Sequence, residues 1–280
     1  LFGPDCHPEQ AQIERYIGAV RALWPVLDEE QRLQHRLHLN LAIALSALQQ
    51  REELAILGED ILAGWRVDPR YESALDRVLR QLAKLQAGGV LRRLLPALLD
   101  APQLSTTMTG AVIEVLAVLS RMPAAIEEHQ AAARHLSLLW SVKDSKATLP
   151  LRAHTQLAGA AQRYADFKLL REWLCHAMGL LDQPSVRQAA TSALKDLMAF
   201  DPGEDVAEMV AVAHLADPGD ARCALLRARL LYVQHVPLSE IEPMLCDITG
   251  KDSDRHSAQL WLAKRYEIEG DTQSCLRWID

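Results

Sequence analysis

At 280 residues, 49% hydrophobic and 24% charged, the chain can bury a large core, which argues against wholesale disorder. Only 5% of it is aromatic while Ala, Leu, Gln, Glu and Arg dominate, a balance that favours helix over sheet. A net charge of −7 speaks against a general nucleic-acid binder, and no apolar run approaches the ~18 residues of a membrane span.

In chain order, residues 1–7 read as a loop and Pro8 as the first position of a helix over about 8–27. Its apolar face carries Ile13, Ile17, Val20 and Trp24, and Pro25 should end or bend it. A second helix is predicted over 29–49, with Leu33, Leu37, Leu41, Ala44 and Leu48 as its stripe, and a third over 51–65. Asp68-Pro69 has the chemistry of a helix start, and Tyr71, Leu75, Val78, Leu79 and Leu82 define a fourth helix, which Gly88-Gly89 should close. A fifth runs over 90–99, ending at Asp100-Ala-Pro102. The segments 106–120 and 123–140 then pair as a hairpin. Within the former, the apolar stretch Ala111 to Leu119 holds Glu114 and reads as a buried helix. The polar stretch SVKDSKATL, 141–149, is the expected boundary between two regions, 1–145 and 146–280.

After that break, helix pairs are predicted at about 150–165 with 167–181, 185–199 with 203–215, 219–234 with 238–249, and 254–269 with 271 onward. A 34-residue register runs through them. Tyr266, Tyr232, Met198 and Tyr164 form one rung; Leu262, Ala228, Leu194 and Ala160 another. Cys275, Ile241, Ala207 and Trp173 make a third, Ile279, Leu245, Ala211 and Ala177 a fourth, and Pro184 and Pro218 keep the same spacing in the turns. Leu262-Ala263, Tyr266, the turn glycine Gly270, Cys275 and Ile279 complete the pattern, which resembles the front of a tetratricopeptide repeat. The resemblance implies an all-α fold, a right-handed superhelix (α-solenoid) of about seven antiparallel helix pairs, each burying its stripe against the next. It is clearest over 150–280, where the last repeat is truncated. Stepping back from Tyr164 reaches Gln130 and Pro96, which do not fit, so 1–145 is expected to be a degenerate helical-repeat region. A start at Leu1 and a stop inside a second helix suggest a fragment of a longer protein.

Catalytic chemistry finds little support. His35 and His38 are three apart, a spacing that can seat a metal, but no carboxylate or HExxH pattern accompanies them, so no metal site is expected. His129 and His135 are six apart and should point to different faces of their helix. Cys175 and His176 are adjacent and diverge by about 100° on a helix, too far to share a proton. No GxSxG, Walker-type or GxGxxG loop occurs, and no catalytic residue or cofactor is expected. The five cysteines lack a CxxC spacing and, with no signal peptide, point weakly to a reducing, cytoplasmic setting. Two charge runs stand out: seven basic against three acidic residues from Arg66 to Arg93, and seven acidic with no basic residue between Asp196 and Asp220. Solvated helix faces explain both better than binding does.

In the repeat family the first helix of each pair lines the concave surface. Carried onto this chain, the resemblance implies Gln162, Asp196, Arg227, Trp261 and Lys264 as partner-binding positions. The lysine and asparagine clamp of some family members is missing, since Gln162, Asp196, Leu230 and Lys264 stand where asparagine would be needed. The implied function is a protein–protein interaction scaffold or adaptor that presents its groove to a peptide, a helix or a neighbouring domain of the same chain. The alternative is a non-catalytic arm of a larger enzyme, such as a glycosyltransferase, or of a transcriptional regulator.

Overall fold

Helices form over most of the segments where the periodicity predicts them. The structure, a computed structural model, describes residues 9–100, 104–141, 149–201, 203–246, 248 and 252–279, and among these the fold is all-α with no β-strand. The expected loop at 1–7, the helix start at Pro8 and most of the 141–149 break lie outside the described residues. No helix among the described residues is long and apolar enough to cross a membrane. The chain divides into two compact units, one through Tyr164 and one from Ala165.

The first unit holds α1 (Gln10–Leu23), α2 (Glu29–Gln34), α3 (Leu37–Ala47), α4 (Arg51–Trp65), α5 (Glu72–Lys84), α6 (Gly88–Leu99), α7 (Thr106–Leu119), α8 (Ile126–Ser141) and α9 (Leu151–Arg163). Helices α3, α5, α7 and α9 pack on one another in succession, while α4 and α6 lie against each other and against that row. The centre is α7, which touches α5, α6, α8 and α9 and buries every residue from Met108 to Ala117. A helix apolar on all sides has no solvent face to offer, so it takes the middle of the stack.

Two sequence expectations change here. The helix predicted over 29–49 is broken. A capping box between Asp28 and Gln31 starts α2, and Arg36 at φ 50° ends it before α3 begins. The break separates His35, exposed on the surface, from His38, buried in α3. Gly88-Gly89 does not close a helix but opens α6. The turn is made at Gln86 (φ 53°), and Gly88 is there because a Cβ would sit 2.1 Å from Met122 Sδ. At Asp68 the expected start holds: its carboxylate accepts from the Arg70 N–H and begins a 3-10 turn, Pro69–Tyr71, that leads into α5.

His38 is 4% exposed and lies edge-on between Trp24 (4.8 Å between ring centroids) and Tyr71 (5.0 Å), with Nδ1 buried and unpartnered. Burial holds this imidazole down at about 4; the nearby Arg32 adds to the effect and Glu29 opposes it. Between that value and ~6.5 the unfolded chain binds the extra proton, so stability is full above ~6.5 and falls as pH drops towards 4. The expected loss is roughly 2–3 kcal/mol. Urea denaturation at pH 7.5, 5.5 and 4.5 reads it directly, and an identical slope in His38→Gln would assign the loss to other groups.

The second unit holds α10 (Phe167–Ala177), a 3-10 turn Met178–Leu180, α11 (Pro184–Phe200), α12 (Glu204–Ala216), α13 (Ala221–Val233), α14 (Leu238–Cys246), α15 (Asp252–Glu269) and α16 (Thr272–Ile279). Each consecutive pair from α10 to α16 is in contact, and α13 also packs on α11 and α15. Ala224, Ala228, Ile241, Leu245, Ala258, Leu262 and Tyr266 share one core. Gly270 turns the chain between α15 and α16 at φ 81°, as expected for the turn glycine.

Candidate functional site

A polar concavity of the second unit is lined by three alternate helices, α11, α13 and α15, and has a volume of about 440 Å³. Its orientation follows from the sequence of α13. Arg222, Leu225, Leu226 and Arg229 recur at i, i+3, i+4 and i+7 and therefore share one face. Asp220 fixes where that face begins by capping the helix: its Oδ1 accepts from the Cys223 N–H at 2.8 Å. Leu226 is buried as floor, while Arg222 and Arg229 stand exposed at the rim. The opposing walls bring Thr191, Ser192 and Lys195 from α11, and Asp254 and Ser257 from α15.

Charge is the distinguishing feature. Three cations face one carboxylate, and that carboxylate, Asp254, is already paired with Arg222 at 3.3 Å. Lys195 and Arg229 form no ion pair among the described residues. Thr191 is committed, its hydroxyl donating to the Arg187 carbonyl at 3.1 Å. Burial, with Asp220 adding, pushes the Cys223 thiol beside the rim up to about 12. A thiol so raised stays protonated at neutral pH and supplies no nucleophile. The chemistry on offer is anion recognition over an apolar floor.

None of the five residues inferred from the repeat pattern is among the described lining residues. Gln162 is half-buried near the end of α9, in the first unit. Asp196 is half-buried on α11 beside Lys195. Arg227 is half-buried and close to His214 of α12, where its charge adds to burial in holding that imidazole below the ordinary histidine value. Trp261 is 9% exposed, edge-on to Tyr232 at 5.9 Å, with the Arg265 guanidinium over both rings, and acts as core. Lys264 is exposed, two turns beyond Ser257 on the same face of α15. The repeat register thus selects three helices that meet at this cavity but is rotated by about one residue on α11 and α13. The Arg-x-x-Leu-Leu-x-x-Arg spacing of 222–229 was the available signal.

Part of each charge run goes into cross-helix pairs. Arg70 pairs with Glu30 (2.8 Å), Arg80 with Glu114 (2.7 Å), Arg92 with Glu128 (3.4 Å) and Arg93 with Glu59 (3.2 Å). In the acidic run Arg171 holds Asp201 (2.9 Å) and Asp205, and Arg187 holds Asp217 (3.1 Å). His35 and His38 form no joint site, and no group of three or more metal-ligating side chains occurs among the described residues. No protein-family model matches the chain, and a search of curated proteins finds no significant relative.

Proposed function

We propose that the chain is a non-catalytic protein-interaction module built of tetratricopeptide-like helix pairs, and that the α11/α13/α15 face receives an acidic, partly apolar segment of a partner protein. The repeat reading is supported by burial along one rung of its register, although Ile279 of another rung is 61% exposed. Leu262, Ala228, Leu194 and Ala160 are all 0% exposed, and Trp173 and Ile241 of another rung are equally buried. It is supported too by helices that begin at 151, 184, 221 and 252, each within three residues of the start predicted from periodicity. Stacked pairs of this kind form a solenoid because each pair exposes an apolar stripe that only its neighbour can cover. The single observation that carries the binding reading is the pair of uncompensated cations, Lys195 and Arg229, set over Leu225 and Leu226. Clustered like charge at a concave surface steers and orients an oppositely charged partner.

Reversing both charges, Lys195→Glu with Arg229→Glu, tests this. Both residues are exposed and make no ion pair among the described residues, so stability should change by no more than about 0.5 kcal/mol. A partner captured by the wild-type protein should bind the double variant at least tenfold more weakly, and its wild-type affinity should fall with added salt. Equal capture by both proteins, with no salt dependence, would place the interaction elsewhere.

A further inference from the structure

The first unit contains a second cavity, chemically unlike the groove and independent of the partner-binding reading. It lies between α6 and α8, above the end of α7, and has a volume of about 380 Å³. The space exists because α8 presents Ala131 and Ala132 where larger residues would fill it; Leu95 and Leu99 of α6 and Leu119 of α7 supply the apolar wall. At the inner end stands Tyr164, whose ring meets that of His129 edge-on at 5.5 Å. The Tyr164 hydroxyl is already used, donating to the Leu116 carbonyl at 3.0 Å.

Both His129 and His135 line this cavity, contrary to the expectation that six-residue spacing would part them. The lining residues of α8, from 128 to 135, cover an arc of roughly 160° of the helix, wide enough to hold both rings.

One polar side-chain atom of the lining has no hydrogen-bond partner among the described residues. Nε2 of His129 is buried without a hydrogen bond. A buried polar atom without a partner is costly and therefore rare, and one on a residue that lines an apolar cavity of this size points to a ligand site. The charge around it selects the ligand. The Arg92 guanidinium is occupied by the Pro123 carbonyl (2.6 Å) and by Glu128 (3.4 Å), and the remaining charge at the rim, Asp100, is negative. No free cation is left to greet an anion.

We propose that this cavity binds a small uncharged organic molecule with an aromatic or alicyclic body and one hydroxyl or N–H group, which hydrogen-bonds to His129.

The probe is 1-naphthol, titrated into the whole chain by calorimetry, with 1-naphthoate as its anionic counterpart. Saturable one-to-one binding of naphthol is expected, with naphthoate at least tenfold weaker. Ala131→Phe, at a half-exposed position, should fill the space and remove naphthol binding while the thermal melting curve stays put. His129→Phe keeps a ring against Tyr164 but loses Nε2 and should weaken binding at least tenfold. A readout free of any variant is the wild-type imidazole spectrum: the His129 ring resonances should shift during the titration and those of His38 should not. Failure of naphthol to saturate, undiminished affinity in Ala131→Phe, or naphthoate binding as tightly as naphthol would each overturn the assignment.

Discussion

Arg80→Met is expected to lower the stability of the first unit by roughly 4 kcal/mol. Arg80 sits on α5 between two carboxylates: its Nε donates to Asp76 at 2.8 Å and its Nη1 to Glu114 of α7 at 2.7 Å. Glu114 is 4% exposed, and its other oxygen accepts from Arg152 of α9. One glutamate therefore joins three helices of the central row. Methionine keeps the length of the stem but removes the charge, leaving Glu114 with one cation instead of two and Asp76 without its hydrogen-bonded cation, with only the charge of Arg77 nearby. Asp76 is already pushed up by burial against the opposing pull of Arg80, so it has little solvation to fall back on. A buried charge that loses its partner loses more than the pair was worth, because its desolvation is no longer offset. Urea denaturation should show a lower midpoint at unchanged slope. The double variant Arg80→Met with Glu114→Leu, apolar at both positions, should lose clearly less than the two single variants added together. A single-variant loss below ~1 kcal/mol would mean that the network is solvated and idle.

In the second unit the largest effect should come from Tyr266→Ala, again roughly 4 kcal/mol, from lost burial plus the cavity left behind. Tyr266 is 6% exposed, shares its core with Leu262, Ala228 and Ile241, and donates its hydroxyl to Glu242 Oε2 at 2.5 Å. Glu242 also accepts from Arg277, so one aromatic ring and one carboxylate hold α14, α15 and α16 together. Tyr266→Phe should cost only about 1 kcal/mol, the net worth of the hydrogen bond. Hydrogen exchange offers the local reading: amides of α14 and α15 should lose protection in the alanine variant, those of α5 and α7 should not. Wild-type melting of Tyr266→Ala would remove Tyr266 from the core, and with it the register that placed it there.

Much of the helical architecture was legible because an amphipathic helix writes its burial into a 3.6-residue period. The helix over 51–65 was placed to the residue, and Leu75, Val78, Leu79 and Leu82 of α5 are each 0% exposed. What escaped was set by distant packing. Nothing in His35-Arg36 announces a break, because arginine carries no local reason to adopt φ 50°; the kink follows from burying His38 between two rings. Glu114 could be seen to lie in a buried helix, but its partners are 34 residues before it and 38 after it. The groove shows a finer limit. The repeat pattern names residues on the three helices that line this cavity, yet a shift of one residue turns a side chain by about 100°, enough to exchange Arg227 for Leu226 at the cavity wall.

The turns have one further implication. Helices α3, α5 and α13 end in the same doubly bonded reversal: the N–H groups of Gln50, Ala87 and Val236 reach back to the carbonyls of Leu45, Leu82 and Leu231. The left-handed residue that makes each reversal is Gln49, Gln86 or His235, where glycine would sit without strain. A side chain in that conformation costs about 1 kcal/mol, which a lone two-helix piece, marginal in water already, has no means to offset. Excised hairpins of this chain should therefore lose their reversals first. The smallest autonomous fragment is one that keeps each hairpin's neighbours on both sides, and synthesis on the ribosome would leave early helix pairs waiting for later ones before their turns lock.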